Sequence, residues 1–342
     1  MKNVINLRVI PPSLFLFQAI ITFAAIAIAM FSGSQELRAQ SGNPMEFKLL
    51  SDVASGGQVQ LLNGRTIQVG SWSTLVFAER PSFGSYRKFC TGALVGSNVM
   101  LTAAHCVDLG DGNVRSPSIV VDDRRLRMTC DISPSYLAGT FTGGIRRIGN
   151  KLSSEDLALC WIDDGGQRPA SIKALDFEVL DTRRRAVASQ AVLLTGYGCT
   201  AIKIIAHRVF PDRANDEADG LLRIGDQIIE RAPGQDELGN AFFTTRSVLG
   251  KTPAVCPGDS GGPAFINESG DNSAETRRII GVNSSIDAEL RADGKFDLIS
   301  RLSAIGTPGF ADWAQGWLAQ RADAGVFICG LNKKAGDYPC RN

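Results

Sequence analysis

Short runs of apolar and β-branched residues, broken by Gly, Asn, Asp and Pro, fill the chain from Leu61 to about Arg321. "TLVFA", "GALVGSNVMLTA", "LALCWI", "AVASQAVLLTGYG", "RIIGVNSSI" and "FDLISRLS" each have the length and composition of a strand. One late segment, residues 310–322, "FADWAQGWLAQRA", spaces its apolar residues at a helical period. Many strands closed by one terminal helix predict an all-β domain. The extreme N-terminus has a different pattern. Lys2 and Arg8 precede an uncharged apolar stretch at residues 14–31, followed by "SGSQELRAQSG". Positive, then apolar, then small residues is the order of a secretory signal over residues 1–40, cut after Ala39 or Gln40. An uncut membrane anchor is the alternative, because the 18-residue stretch approaches spanning length.

Composition sharpens this picture in three places. Charged residues make up 21% of the 342 residues and the net charge is +1, so nothing favours nucleic acid or an acidic surface. The longest basic run, Arg183, Arg184 and Arg185, reads as a solvated linker. Eight cysteines fit an oxidising compartment, secreted or periplasmic. With no C-x-x-C motif and only two histidines, no metal site and no cofactor are expected.

Candidate chemistry centres on "CPGDSGGP", residues 256–263. Its glycines exclude a regular helix or strand around Ser260. A tight turn is one explanation. G-x-S-x-G also matches the nucleophile elbow of α/β-hydrolases, whose histidine follows the serine. Both histidines, His105 and His207, precede Ser260, and the strands do not alternate with helices. That order excludes the elbow and with it a lipase or esterase, and leaves the order His, Asp, Ser open.

Together, "LTAAHC", "DLAL" and "CPGDSGGP" resemble the chymotrypsin/trypsin-like serine endopeptidases, over about residues 61–317. "TGYG" resembles the family's T-G-W-G strand end, and "LLNGRTIQVGSW" its mature N-terminus. The resemblance implies two antiparallel six-stranded β-barrels, residues 61–164 and 186–308, followed by the helix at 310–322. The catalytic domain then spans 61–325, with Arg183 to Arg185 in the crossing strap. Residues 41–60 form a short propeptide and 326–342 a disulfide-closed tail. By resemblance His105 is the general base, Asp156 its orienting acid and Ser260 the nucleophile, with the N–H groups of Gly258 and Ser260 as the oxyanion hole. The freed amine of Leu61 pairs with Asp259, although Gln60 departs from the usual basic residue before the cut.

The family pairs the cysteines matching Cys90 and Cys106. Cys329 and Cys340 are close and terminal, and Cys130 and Cys160 flank the Asp156 segment. Cys199 and Cys256 remain, a departure from the family, in which the partner of Cys256 lies just past Ser284. For specificity, the family places Ala254 at the pocket floor, where Arg- or Lys-selecting members have an aspartate. Ser284 matches the serine beside the triad aspartate, and Ile286 narrows the mouth. Small or medium apolar residues are expected before the cut bond. Asp297 stands either on the opposite pocket wall, where it recruits a basic residue, or exposed at a strand start. The expected partners are protein or peptide substrates and protein inhibitors of proteases. Nucleic acid and, after signal removal, membrane are not expected, and the protein is expected to be a monomer. A protease-like binding protein without activity is the competing class.

Overall fold

The structure is a computed structural model that describes residues 45–49, 61–67, 72–82, 85–212, 214–216, 221–249, 251–266 and 276–341. The expected signal segment and most of the propeptide lie outside the described residues. No helix among the described residues is long and apolar enough to cross a membrane.

Barrel one contains β1 (Glu46–Leu49), β2 (Leu75–Ser82), β3 (Ser85–Gly96), β4 (Val99–Thr102), β5 (Ser118–Val121), β6 (Arg124–Ile132) and β7 (Ala158–Asp163). They close in the order β1-β2-β3-β4-β7-β6-β5. Alternation drives the closure. In β6, Leu126, Met128, Cys130 and Ile132 point inward, while Arg125, Arg127 and Thr129 face solvent. The barrel has seven strands rather than six, because β1 comes from the segment expected to be a propeptide. It runs antiparallel to β2 and parallel to β5. Its Phe47 and Leu49 are fully buried, as is Met45 just before it at 2% exposure. Each such side chain contributes about 1.5–3 kcal/mol.

Barrel two is built from β8 (Ala191–Gly196), β9 (Arg223–Arg231), β10 (Phe242–Val248), β11 (Pro263–Ile266), β12 (Arg278–Leu290) and β13 (Phe296–Ala304). All neighbours are antiparallel, in the closed order β12-β11-β8-β9-β10-β13. A register shift between Asn283 and Ser285 marks a bulge in β12 against β13. Bulges re-aim side chains, and here two consecutive residues, Asn283 and Ser284, are both turned inward.

A single helical turn, α1 (Ala104–Val107), follows β4. The terminal helix α2 (Pro308–Ala319) starts two residues earlier and ends three earlier than its apolar spacing suggested. Thr307 caps it by accepting from the Phe310 N–H, and Pro308 sits in the first turn, where its missing N–H has no cost. Phe310, Ala314, Trp317 and Leu318 form its buried face. The tail beyond it is tied down. Cys329 N–H donates to the Val95 carbonyl at 2.8 Å, and Leu180 N–H to the Cys329 carbonyl at 2.9 Å. Four disulfides join Cys90–Cys106, Cys130–Cys160, Cys199–Cys256 and Cys329–Cys340.

Candidate active site

The end of β4 feeds directly into α1, and that abrupt change from strand to turn carries His105. Asp156 lies in the loop before β7 and is fully buried. The two meet closely, with His105 Nδ1 donating to Asp156 Oδ2 at 2.6 Å. The His105 backbone N–H donates to the other oxygen, Oδ1, at 2.8 Å. Ser284 Oγ donates to Oδ2 at 2.6 Å. Three donors from two barrels therefore fix the carboxylate, and the carboxylate fixes the tautomer and plane of the ring. Burial pulls the His105 pKa down. The charge and hydrogen bond of Asp156, with Asp108 behind it, outweigh that pull, so the pKa ends above the ordinary 6.5.

Ser260 stands in the loop before β11, held by its own backbone. Its carbonyl accepts from the Thr91 N–H at 2.7 Å and lies 3.7 Å from Cys106 Sγ, beside His105. Gly261 has φ +86°, and a Cβ there would lie 2.1 Å from the Thr91 carbonyl oxygen and 2.2 Å from Thr102 Oγ1. Only glycine lets this loop press against β3 and β4. Gly258, at φ +108°, meets the same limit, because a Cβ would come within 2.8 Å of Gly198 Cα. Asp259 is fully buried, and its carboxylate accepts from the N–H groups of Gly198 at 2.5 Å and Cys256 at 2.7 Å. The Cys199–Cys256 bridge ties the same two segments together covalently. Leu61 is buried among barrel-two side chains, and Leu62 forms a bridge with Ala254.

Two expected pocket residues are placed differently. The cavity beside Ser260 has a volume of about 190 Å³ and is lined by residues 255–257 and 283–286 together with Ser260. Ala254 does not line it. That residue is sealed beneath, packed with Leu62, Ala288 and Leu298, with Ile286 and Phe296 against the same cluster. Ile202, Ile204 and Val209 of the hairpin formed by Ile202–Ile205 and Arg208–Pro211 complete the layer. Ile286 belongs to both the cavity lining and this apolar layer. Asp297 belongs to neither expected position. It neighbours Leu298 on β13, so it faces the other side of the strand. There its carboxylate pairs with Arg246 at 3.2 Å and Arg291 at 3.5 Å. Asp297→Ala should accordingly leave the order of preference among chromogenic peptides ending in Ala, Val, Leu, Phe, Arg and Lys unchanged. Loss or gain of Arg cleavage would contradict this placement.

Asn283 escaped the sequence reading, although it sits in the quoted "GVNSSI". Its Nδ2 donates to the carbonyls of Thr195 at 2.8 Å and Asp259 at 3.2 Å. Its main chain exchanges hydrogen bonds with Gly261 and Gly262. A polar residue directly after the apolar run "IIGV" was the only available signal.

The sequence model of the trypsin family matches residues 61–305. A curated relative, the serine protease Hayan of Drosophila melanogaster, is 25% identical over 255 residues, covering 68% of this chain. The match spans 36% of that protein, about a third of its length. With two closed barrels and a family match over most of its length, the chain belongs to the trypsin family of serine proteases.

Proposed function

We propose that the protein is an exported serine endopeptidase that cuts peptide bonds through an acyl-enzyme. The observation that carries this reading is the 2.6 Å contact between His105 and the buried Asp156, at the mouth of the loop that presents Ser260. A serine hydroxyl is a weak nucleophile until a base takes its proton. His105 takes the proton from Ser260 Oγ as that oxygen attacks the substrate carbonyl, and then gives it to the leaving amine. Asp156 holds the ring and stabilises the imidazolium. The N–H groups of Gly258 and Ser260 receive the oxyanion, each donor worth about 3 kcal/mol in the transition state. Water then attacks the acyl carbonyl by the same route, with His105 again as base, and frees Ser260.

Export is supported by four disulfides, which persist in oxidising compartments. Processing after Gln60 belongs to the same proposal. The burial of Leu61 in the core of barrel two and the bridge from Leu62 to Ala254, ahead of the loop that carries Asp259, support it. The expected substrates are proteins or peptides, and protein inhibitors are expected to compete at the same cleft.

Hydrolysis of casein, together with labelling of Ser260 by a fluorophosphonate, tests the reading. A protein that neither labels nor cleaves would be a binding module. The pH profile gives a second check. The base acts when neutral, so activity rises with pH through the His105 pKa. Since that pKa is raised, the acid limb of kcat/KM should lie above 6.5. Asp156→Asn removes the raising charge, so any residual activity should show its limb at lower pH. The same shift makes His105 a stabilising group at low pH. Its contribution is complete below 6.5 and is lost as pH rises through its folded-state pKa.

A further inference from the structure

From Pro257 to Ser260, the backbone of the nucleophile loop leaves two donors open and pairs every other polar group. The Pro257 carbonyl accepts from the Cys199 N–H at 3.0 Å, and the Gly258 carbonyl from Thr91 Oγ1 at 3.0 Å. The Asp259 carbonyl accepts from the Gly262 N–H at 2.9 Å and from Asn283 Nδ2 at 3.2 Å. The Ser260 carbonyl accepts from the Thr91 N–H at 2.7 Å, and the Asp259 N–H donates to the Cys256 carbonyl at 2.9 Å. The N–H groups of Gly258 and Ser260 donate to no acceptor among the described residues. An open N–H in a buried residue such as Gly258 is rare.

One short segment sets the first of these donors. A peptide unit is planar and trans, so its C=O and N–H point opposite ways. The Pro257 carbonyl and the Gly258 N–H share one unit. With that carbonyl turned onto Cys199, the N–H is turned away from it. The consecutive N–H groups of Tyr197, Gly198 and Cys199 go to Thr91 Oγ1, Asp259 Oδ1 and the Pro257 carbonyl. Thr91 Oγ1 accepts from Tyr197 and gives its own hydrogen to Gly258, so one buried hydroxyl joins the two segments. The Cys199–Cys256 bridge closes the arrangement beside the peptide that Cys199 holds.

We propose that the Cys199–Cys256 bridge and the Thr91 hydroxyl are positioning groups for the oxyanion hole, holding the Pro257–Gly258 peptide with its N–H open to the developing oxyanion. The proposal rests on the endopeptidase reading, and it gives a role to the pairing in which this chain departs from the family. Without the bridge, no covalent link keeps the Cys199 N–H opposite the Pro257 carbonyl, and the peptide turns more freely. A donor aimed before the reaction needs no reorganisation as charge develops. Loss of that aim lowers kcat and spares KM, because the interaction is made in the transition state.

The test compares four variants: Cys199→Ala with Cys256→Ala, Thr91→Val, Thr91→Ser and, as a control, Cys329→Ala with Cys340→Ala. Each is measured as the full chain and as the chain cut after Gln60. Peptide-ester hydrolysis gives kcat and KM. Cinnamoylimidazole gives a spectroscopic readout: Ser260 Oγ bonds to the cinnamoyl carbonyl carbon, and imidazole leaves with the proton. The infrared stretch of that acyl carbonyl falls as hydrogen bonds to its oxygen strengthen. The Cys199–Cys256 variant and Thr91→Val are each expected to lose about ten- to a hundredfold in kcat, with KM within about twofold of wild type. Their acyl carbonyl stretch should lie at higher wavenumber. Thr91→Ser, which keeps the hydroxyl, should recover most of what Thr91→Val loses. The tail-bridge control should unfold at a lower temperature but show the wild-type stretch. An unchanged kcat, or a lower kcat with an unchanged stretch, overturns the proposal and leaves the endopeptidase reading standing. If the Cys199–Cys256 variant does not fold, the Thr91 pair decides by the same criteria. A wild type that neither forms the acyl-enzyme nor hydrolyses the ester overturns both.

Discussion

Ser260→Ala is expected to lower kcat by about 10⁶-fold while leaving the fold intact, and to leave nothing for a fluorophosphonate to label. Among the described residues the hydroxyl makes no hydrogen bond that supports the loop. Its neighbours do that work through the Ser260 carbonyl with Thr91, the Gly261 N–H with Asn283 and the Asp259 carboxylate with Gly198 and Cys256. Thermal unfolding of the variant should therefore match the wild type. His105→Ala should cost a similar factor, and the double variant little more than either single, because base and nucleophile act in one step. Peptide-ester hydrolysis with active-site titration measures all three. Full turnover by Ser260→Ala would refute the assignment of the nucleophile.

The second large effect concerns stability. Glu178 → Ala should destabilise the protein by about 3–5 kcal/mol at neutral pH. Glu178 and Arg277 are both fully buried, and Glu178 accepts from Arg277 Nε at 2.9 Å and Nη2 at 2.5 Å. Thr74 Oγ1 donates to the same carboxylate at 2.5 Å, and Arg341 pairs with it at 3.3 Å. The Arg277 guanidinium lies 3.7 Å above the Trp72 ring. One buried carboxylate thus joins the approach to β2, the strap, the approach to β12 and the tail. Removing it takes the bidentate carboxylate partner from a buried guanidinium. Burial pushes the Glu178 pKa up, but the charge and hydrogen bonds of Arg277, with Arg341 and Thr74, hold it below the usual 4.5. Its stabilising contribution is therefore present above 4.5 and is lost as pH falls through the folded-state value. Chemical denaturation of wild type and variant at pH 7 and pH 4 checks both points. The gap should narrow in acid, and a gap that widens there would contradict the mechanism.

Both prediction sites bear on what the sequence makes legible. His105 and Ser260 stand in contiguous motifs, where adjacent residues carry the constraint, so their neighbours identify them. Asp156 is less exposed to that reading, because a single carboxylate in "DLAL" depends on its order between two stronger motifs. The Glu178–Arg277 pair leaves no such trace, since its members lie 99 positions apart and neither has a distinctive neighbour. Asp297 shows the problem of parity. A slip of one residue along a strand reverses which face a side chain takes, and no local signal in "KFDLISRL" sets the register. Cys199 and Cys256, left over after the other six cysteines were paired, stand with Cα atoms 5.4 Å apart. β1 has a legible pattern, since "MEFKL" alternates apolar and polar residues at period two, yet it precedes the mature N-terminus that the resemblance implies, which assigns it to the propeptide.

The position of β1 alters what a cut after Gln60 would release. No cysteine precedes Cys90, so no disulfide could retain the severed piece. Yet β1 is bonded along both edges inside a closed barrel, with Met45, Phe47 and Leu49 in its interior. A severed leader would therefore persist as a minute second subunit, exchanging only as fast as barrel one opens. A synthetic peptide of the same sequence could take its place in trans. Stripping it out would expose the edges of β2 and β5, the kind of unpaired border through which β-proteins associate with one another.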